Sequence, residues 1–203
     1  MEEDVNELIR SILRWMLFLT GLIVVVSCGD DEPMGTIIEH EKEEITDVTL
    51  TFLRVSGGEV VTVRAQDPDG DGPGGMQILG EINLQSNASY LLNIELHNTL
   101  TGQFVNTEII EEGGEHQIFF EFTEDLFLDP TGNGNTDSGS DPINYGDNDN
   151  AGLPIGLVTF WSPGNPITNA RFRVALRHHS GIKPSPSNGS TIDMDLTFVM
   201  NVL

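Results

Sequence analysis

ITDVTLTFLRVSGGEVVTVRA, residues 45–65, is the stretch that decides the fold. Ile45–Val55 alternates as a strand does, with Ile45, Val48, Leu50, Phe52 and Arg54 spread over its different faces. Ser56-Gly57-Gly58 supplies a turn, and Glu59–Ala65 returns as the second strand of a hairpin. The same rhythm continues outward. Gln66–Gly75 (QDPDGDGPGG) reads as a loop by composition. Ile78–Leu84 reads as a strand, and Tyr90–His97 as another with Leu92, Ile94 and Leu96 on one face. Thr107–Gly114 fits one or two helical turns capped by Thr107. Gln117–Phe122 and Leu157–Trp161 are strands. Ala170–Arg177 turns Phe172, Val174 and Leu176 one way, and Thr191–Leu203 does the same with Ile192, Met194, Leu196, Phe198 and Met200.

That makes eight or nine short strands with turn signals between them and no βαβ rhythm. The expected fold is all-β, an antiparallel sandwich of the immunoglobulin-like kind, with a closed barrel as the alternative. The chain of 203 residues suits one well-cored domain rather than two. The domain is expected at residues 45–203, with a flexible loop at 129–152 rich in Gly, Asn, Asp and Ser.

The N-terminal segment has a different character. MLFLTGLIVVVS, residues 16–27, is too short for a membrane-spanning helix and suits the apolar part of an export signal. Arg10 and Arg14 precede it as a basic flank, although Glu2, Glu3, Asp4 and Glu7 are acidic. Translation from Met16 and a tolerated extended start both fit. Val25-Val26-Ser27-Cys28 looks like a lipobox, with a small residue before the cysteine. The expectation is a signal peptide at 1–27 and a palmitate-type lipid on Cys28, which holds the protein to a bilayer without spanning it. Residues 28–44 then form an acidic tether, polar and non-periodic. Gly29-Asp30-Asp31-Glu32-Pro33 looks like an acidic tag for the outer face of an outer membrane. Cys28 is the one cysteine, so no intrachain disulfide forms.

From Glu44 onward the chain resembles a group of Bacteroidota surface lipoproteins. The stretches that carry the resemblance are EEITDVTLTF, the DPDGDG loop, EIIEEGGEHQIFFEF, YGDNDNAGLPIGLVTFW and ALRHHSGIK. Members often carry the label of a type 1 periplasmic-binding fold, an α/β, two-lobed architecture, whereas these strands read as all-β. The resemblance implies lipoprotein identity and surface location and carries over no catalytic residue.

Net charge is −23, which argues against nucleic acid, whose phosphates attract Lys and Arg, and in favour of solubility and cation binding. The sharpest motif is Asp67-Pro68-Asp69-Gly70-Asp71-Gly72. Carboxylates at every second position followed by Gly can wrap a hard cation, and calcium takes several such oxygens. An EF-hand would place Glu at the twelfth position, where Ile78 stands. Asp147-Asn148-Asp149-Asn150 has the same oxygen-rich character and completes the first site if the loops meet at one end of the sandwich. Asp67, Asp69, Asp71, Asp147 and Asp149 are therefore the candidate metal ligands, with calcium as cofactor.

Glu108, Glu111, Glu112 and Glu115 with His116 form a third constellation, suited to zinc or acid–base work but lacking HExxH spacing or a nearby second His. His178 and His179 end a strand; adjacent residues point to opposite faces, so the expectation is surface histidines. Trp161 is expected in the core. Trp161 is also, with Tyr90 and Tyr145, a candidate for stacking on a sugar or peptide. No phosphate loop, nucleophile elbow or Ser-His-Asp arrangement stands out. The expected function is a non-enzymatic binding or structural module on the outer membrane. Its partner would be an outer-membrane protein, a glycan or a peptide. The alternatives are a metal-dependent hydrolase and a nutrient-capture protein.

Overall fold

The computed structural model describes residues 43–68, 70, 75–137, 141–179, 183 and 190–203. The signal segment, Cys28 and the tether through residue 42 lie outside these, as do Asp69 and Asp71. In chain order the strands are β1 (Asp47–Arg54), β2 (Val60–Gln66), β3 (Gln77–Leu79), β4 (Ile82–Leu84), β5 (Tyr90–Asn98), β6 (Gln103–Phe104), β7 (His116–Phe122), β8 (Phe127–Asp129), β9 (Asn144–Tyr145), β10 (Val158–Pro163), β11 (Ile167–His179) and β12 (Ser190–Val202). Among the described residues one short helix, α1 (Asn106–Glu111), lies between β6 and β7.

The fold is the expected all-β sandwich. Sheet 1 runs β3-β2-β1-β5-β10-β8, with β6 on β5 and β9 on β10; sheet 2 runs β4-β12-β11-β7. The opening hairpin forms in the register its sequence predicts, from Asp47↔Gln66 to Leu53↔Val60. Val48, Leu50 and Phe52 of sheet 1 share one core with Phe120, Phe172 and Phe198 of sheet 2. Phe52 meets Phe172 edge-on across the sheets. Each such side chain contributes roughly 1.5–3 kcal/mol on full burial.

Four local expectations change. Ile78–Leu84 is not one strand but two in different sheets: β3 on β2, and β4 parallel to β12. Gly80 between them has φ +100°, which lets the chain cross from one sheet to the other. Ile192 is exposed although Met194 is buried. The β11–β12 register jumps from Leu176↔Met194 to Arg177↔Ile192, so Asp193 is the extra residue of a bulge and turns inward. Thr107 does not cap α1. Val105 precedes the helix without a side-chain cap, and Asn106 instead bonds across to β5 at Leu96 N–H (2.7 Å) and Ile94 C=O (2.8 Å).

The fourth change concerns 129–152, expected as a flexible loop. Its described residues are tied to the body of the domain. Asn135 accepts from Phe120 N–H (2.9 Å), and Gly134 packs on the Phe120 carbonyl so closely that there is no room for a Cβ. Tyr145 donates to Ile118 C=O (2.7 Å) and accepts from Asn135 (2.9 Å); burial pushes its phenol up to about 12. The segment covers the free edge of β7, the usual protection for an exposed strand.

The two ends of the sandwich differ. At one, Phe122, Phe127, Trp161 and Phe172 interlock, with Phe127–Trp161 centroids 4.6 Å apart. Trp161 is core, as expected, and its Nε1–H donates to Thr159 (2.7 Å). At the other end β1, β7 and β12 begin and β2, β5 and β11 finish. That end carries the candidate site.

Candidate metal centre

The antiparallel register of β7 and β11 puts His116 directly opposite His178. The ring centroids are 4.5 Å apart, and the residues are 0% and 4% exposed. His178 is thus no surface histidine. The alternation Phe172, Val174, Leu176 continues one step further and carries it to the inward face. Glu43, assigned by its sequence to the tether, is 7% exposed. Its Oε1 lies 2.9 Å from His116 Nε2. The approach is short but poorly aligned for a hydrogen bond, so it is a charge contact first. Glu43, His116 and His178 each offer one ligand atom, all within 4.8 Å of one another. Glu43 belongs to a second set as well, with half-buried Glu108 and exposed Glu112.

The histidines are oriented from outside this set. His116 Nδ1 stands 3.3 Å from the Glu112 carbonyl, which favours a proton on Nδ1 and turns Nε2 toward Glu43. His178 Nε2 lies 3.2 Å from Glu115 Oε2. A carbonyl and a carboxylate behind the rings are the partners that metal-ligating histidines usually have. Burial pushes the His116 pKa down, yet the Glu43 contact, the Glu112 carbonyl and the charge of Asp193 outweigh it, so the net shift is upward. Burial raises Glu108, and the charges of Glu43 and Glu112 add to this, while a bond from Gln103 (2.6 Å) opposes it. Two imidazoles with one carboxylate suit zinc and its first-row neighbours better than calcium or magnesium, which prefer oxygen.

His179 faces away, its ring 6.2 Å from Phe119, which also lies under Arg177. Burial and the charges of Lys183 and Arg177 hold its pKa below the ordinary value. The expectation that the two adjacent histidines would not share an ion agrees with this placement; the expectation that they are exposed does not.

Among the described residues, Asp67, Asp147 and Asp149 do not join the centre. Asp147 accepts the N–H groups of Gly156 and Leu157 (both 2.9 Å). Asp149 accepts those of Ala151 and Leu153 (both 2.8 Å) and pairs with buried Lys183 (3.1 Å). Their carboxylates serve the loop's own donors. Asp67 is 1% exposed; Oδ1 accepts from Gly70 N–H (3.1 Å), and among the described residues Oδ2 has no hydrogen-bond partner. None of these three belongs to a metal-capable group among the described residues. Glu43 and His178 were missed because the contacts that unite them with His116 are set by sheet register and not by local spacing. Tyr90 is core, with its hydroxyl accepting from Gln85 N–H. Tyr145 is spoken for by β7, so neither tyrosine is presented for stacking.

No protein-family model matches the chain, and no curated protein or solved structure matches it.

Proposed function

We propose that this chain is a lipid-anchored, non-enzymatic binding module of the outer membrane whose ligand is a divalent transition-metal ion. One observation carries the metal: buried Glu43, His116 and His178 converge within 4.8 Å, with outer partners behind both rings. Zinc bonds to imidazole and carboxylate are roughly 2.0–2.2 Å, so modest closure of the side chains completes three ligands and leaves a fourth position. The anchor rests on Val25–Cys28, and the loops at 66–75 and 129–152 are the surfaces offered to a protein, glycan or peptide partner. Equilibrium dialysis against zinc with metal analysis is the test. It should give one tight equivalent, lost in His116→Ala and His178→Ala. Failure to retain zinc at micromolar concentration would remove the reading.

A metal-dependent hydrolase is the second reading, favoured by Glu108 and Glu112, which stand beside Glu43 as carboxylates for a general base. Turnover of ester, peptide or phosphoester substrates by the zinc-loaded chain, lost in Glu112→Gln with zinc retained, would replace the non-enzymatic reading. Calcium is proposed only at Asp67, Asp69 and Asp71, supported by the buried Asp67 Oδ2, which has no hydrogen-bond partner among the described residues. Terbium luminescence displaced by calcium and abolished in Asp67→Asn is the expected result; no signal would dismiss it.

A further inference from the structure

Glu43 differs from the other two ligands in where it sits on the chain. It stands four residues before β1 and belongs to no strand. The three residues after it are held by sheet 1. Glu44 accepts from Asn98 (3.3 Å), at the end of β5. Ile45 is buried in the core. Thr46 N–H donates to His97 C=O (2.9 Å), its carbonyl accepts from Asp67 N–H (2.7 Å), and its hydroxyl accepts from Thr99 N–H (2.8 Å). Glu43 reaches the other way, to His116 on β7 of sheet 2. Four consecutive residues therefore bridge the two sheets at one end of the sandwich. The described polar contact to sheet 2 is the Glu43 carboxylate against the His116 imidazole, at 2.9 Å.

We infer that a metal ion at this centre acts as a clasp. Bound to Glu43, His116 and His178, it ties the lead-in of β1 to β7 and β11, so metal occupancy sets where the ordered domain begins. This rests on the metal-binding reading above. A coordinate bond from Glu43 replaces that contact and fixes the residue that joins the domain to the chain before it. Ions that use the histidines alone would bind without this effect.

The Lys42–Glu43 peptide bond makes the clasp measurable, because trypsin cleaves after Lys and must draw the residues on both sides into an extended conformation. The full chain, with Cys28→Ser to prevent lipidation, is digested briefly with and without zinc, and bound zinc is measured in the same samples. Zinc should slow cleavage at Lys42 at least about tenfold, since the cut requires Glu43 and Glu44 to leave their contacts with His116 and Asn98. Hydrogen exchange over residues 43–46 should slow in parallel while that of β5 stays unchanged. Glu43→Gln, digested in the same zinc, should cleave at the metal-free rate, which also controls for any effect of zinc on trypsin. Zinc bound with no change in cleavage or exchange would overturn the clasp and leave the metal site standing. No zinc bound would overturn both.

Discussion

The two ends of this sandwich are filled by opposite chemistry. At one, four aromatic rings from β7, β8, β10 and β11 close the core, with a single polar atom among them, the Trp161 Nε1–H, satisfied within the same strand. At the other, the same two sheets close over His116, His178, Glu43 and Asp193, all buried and all ionisable. Apolar burial is favourable without any partner, whereas a buried charge is costly until paired or coordinated. The aromatic end thus explains stability. The polar end stands against it, its ionisable groups held by contacts such as Glu43–His116 (2.9 Å) and His178–Glu115 (3.2 Å).

The largest expected effect tests the aromatic end. Trp161→Ala should lower the unfolding free energy by about 3–5 kcal/mol, read from denaturant melts with and without zinc. The loss should be equal in both, because the proposed ion site lies at the other end. An unequal loss would mean that the two ends are not independent.

Zinc at a hundredfold over its Kd should then raise stability by about 2.7 kcal/mol. That gain should vanish in His178→Ala. A gain that survives the substitution would place the ion elsewhere.

Tyr145→Phe lies between the ends and should cost about 1–2 kcal/mol. It removes the donor to Ile118 and leaves Asn135 without its acceptor. The same melts read it, and a neutral result would mean that the 129–152 segment is not needed to seal β7.

The smallest effect is on the outer face of sheet 2. Arg173 clasps Asp195 through two bonds of 2.7 Å and holds its carboxyl below the ordinary range. A lowered folded-state pKa contributes stability that is full above the ordinary carboxylate range and fades as pH falls through the lowered value. The stability difference between the chain and Asp195→Asn should therefore shrink with acid. Solvent screening should keep it under about 1 kcal/mol throughout. A difference independent of pH would assign the effect to shape and not to charge.

Much of the fold was legible because strand alternation is local. Val48, Leu50, Phe52, and later Phe172, Val174 and Leu176, point inward as their spacing requires. What was not legible depends on single residues that reset the period. Gly80 splits one apparent strand between two sheets, and the bulge at Asp193 reverses the facing of Ile192. The site was less legible still. His116 was a candidate from its acidic neighbours, but its partners are a residue assigned to the tether and one assigned to the surface. The oxygen-rich loop at 147–150 drew attention by composition, and that composition is explained by turns whose N–H groups the carboxylates accept.

Crystals of the chain grown with zinc, with an anomalous difference map at the zinc edge, test the central claim most directly. The account predicts one strong peak between Glu43, His116 and His178, roughly 2.0–2.2 Å from a ring nitrogen of each histidine and a Glu43 oxygen. A map without a peak there, with the three side chains well ordered, would contradict it.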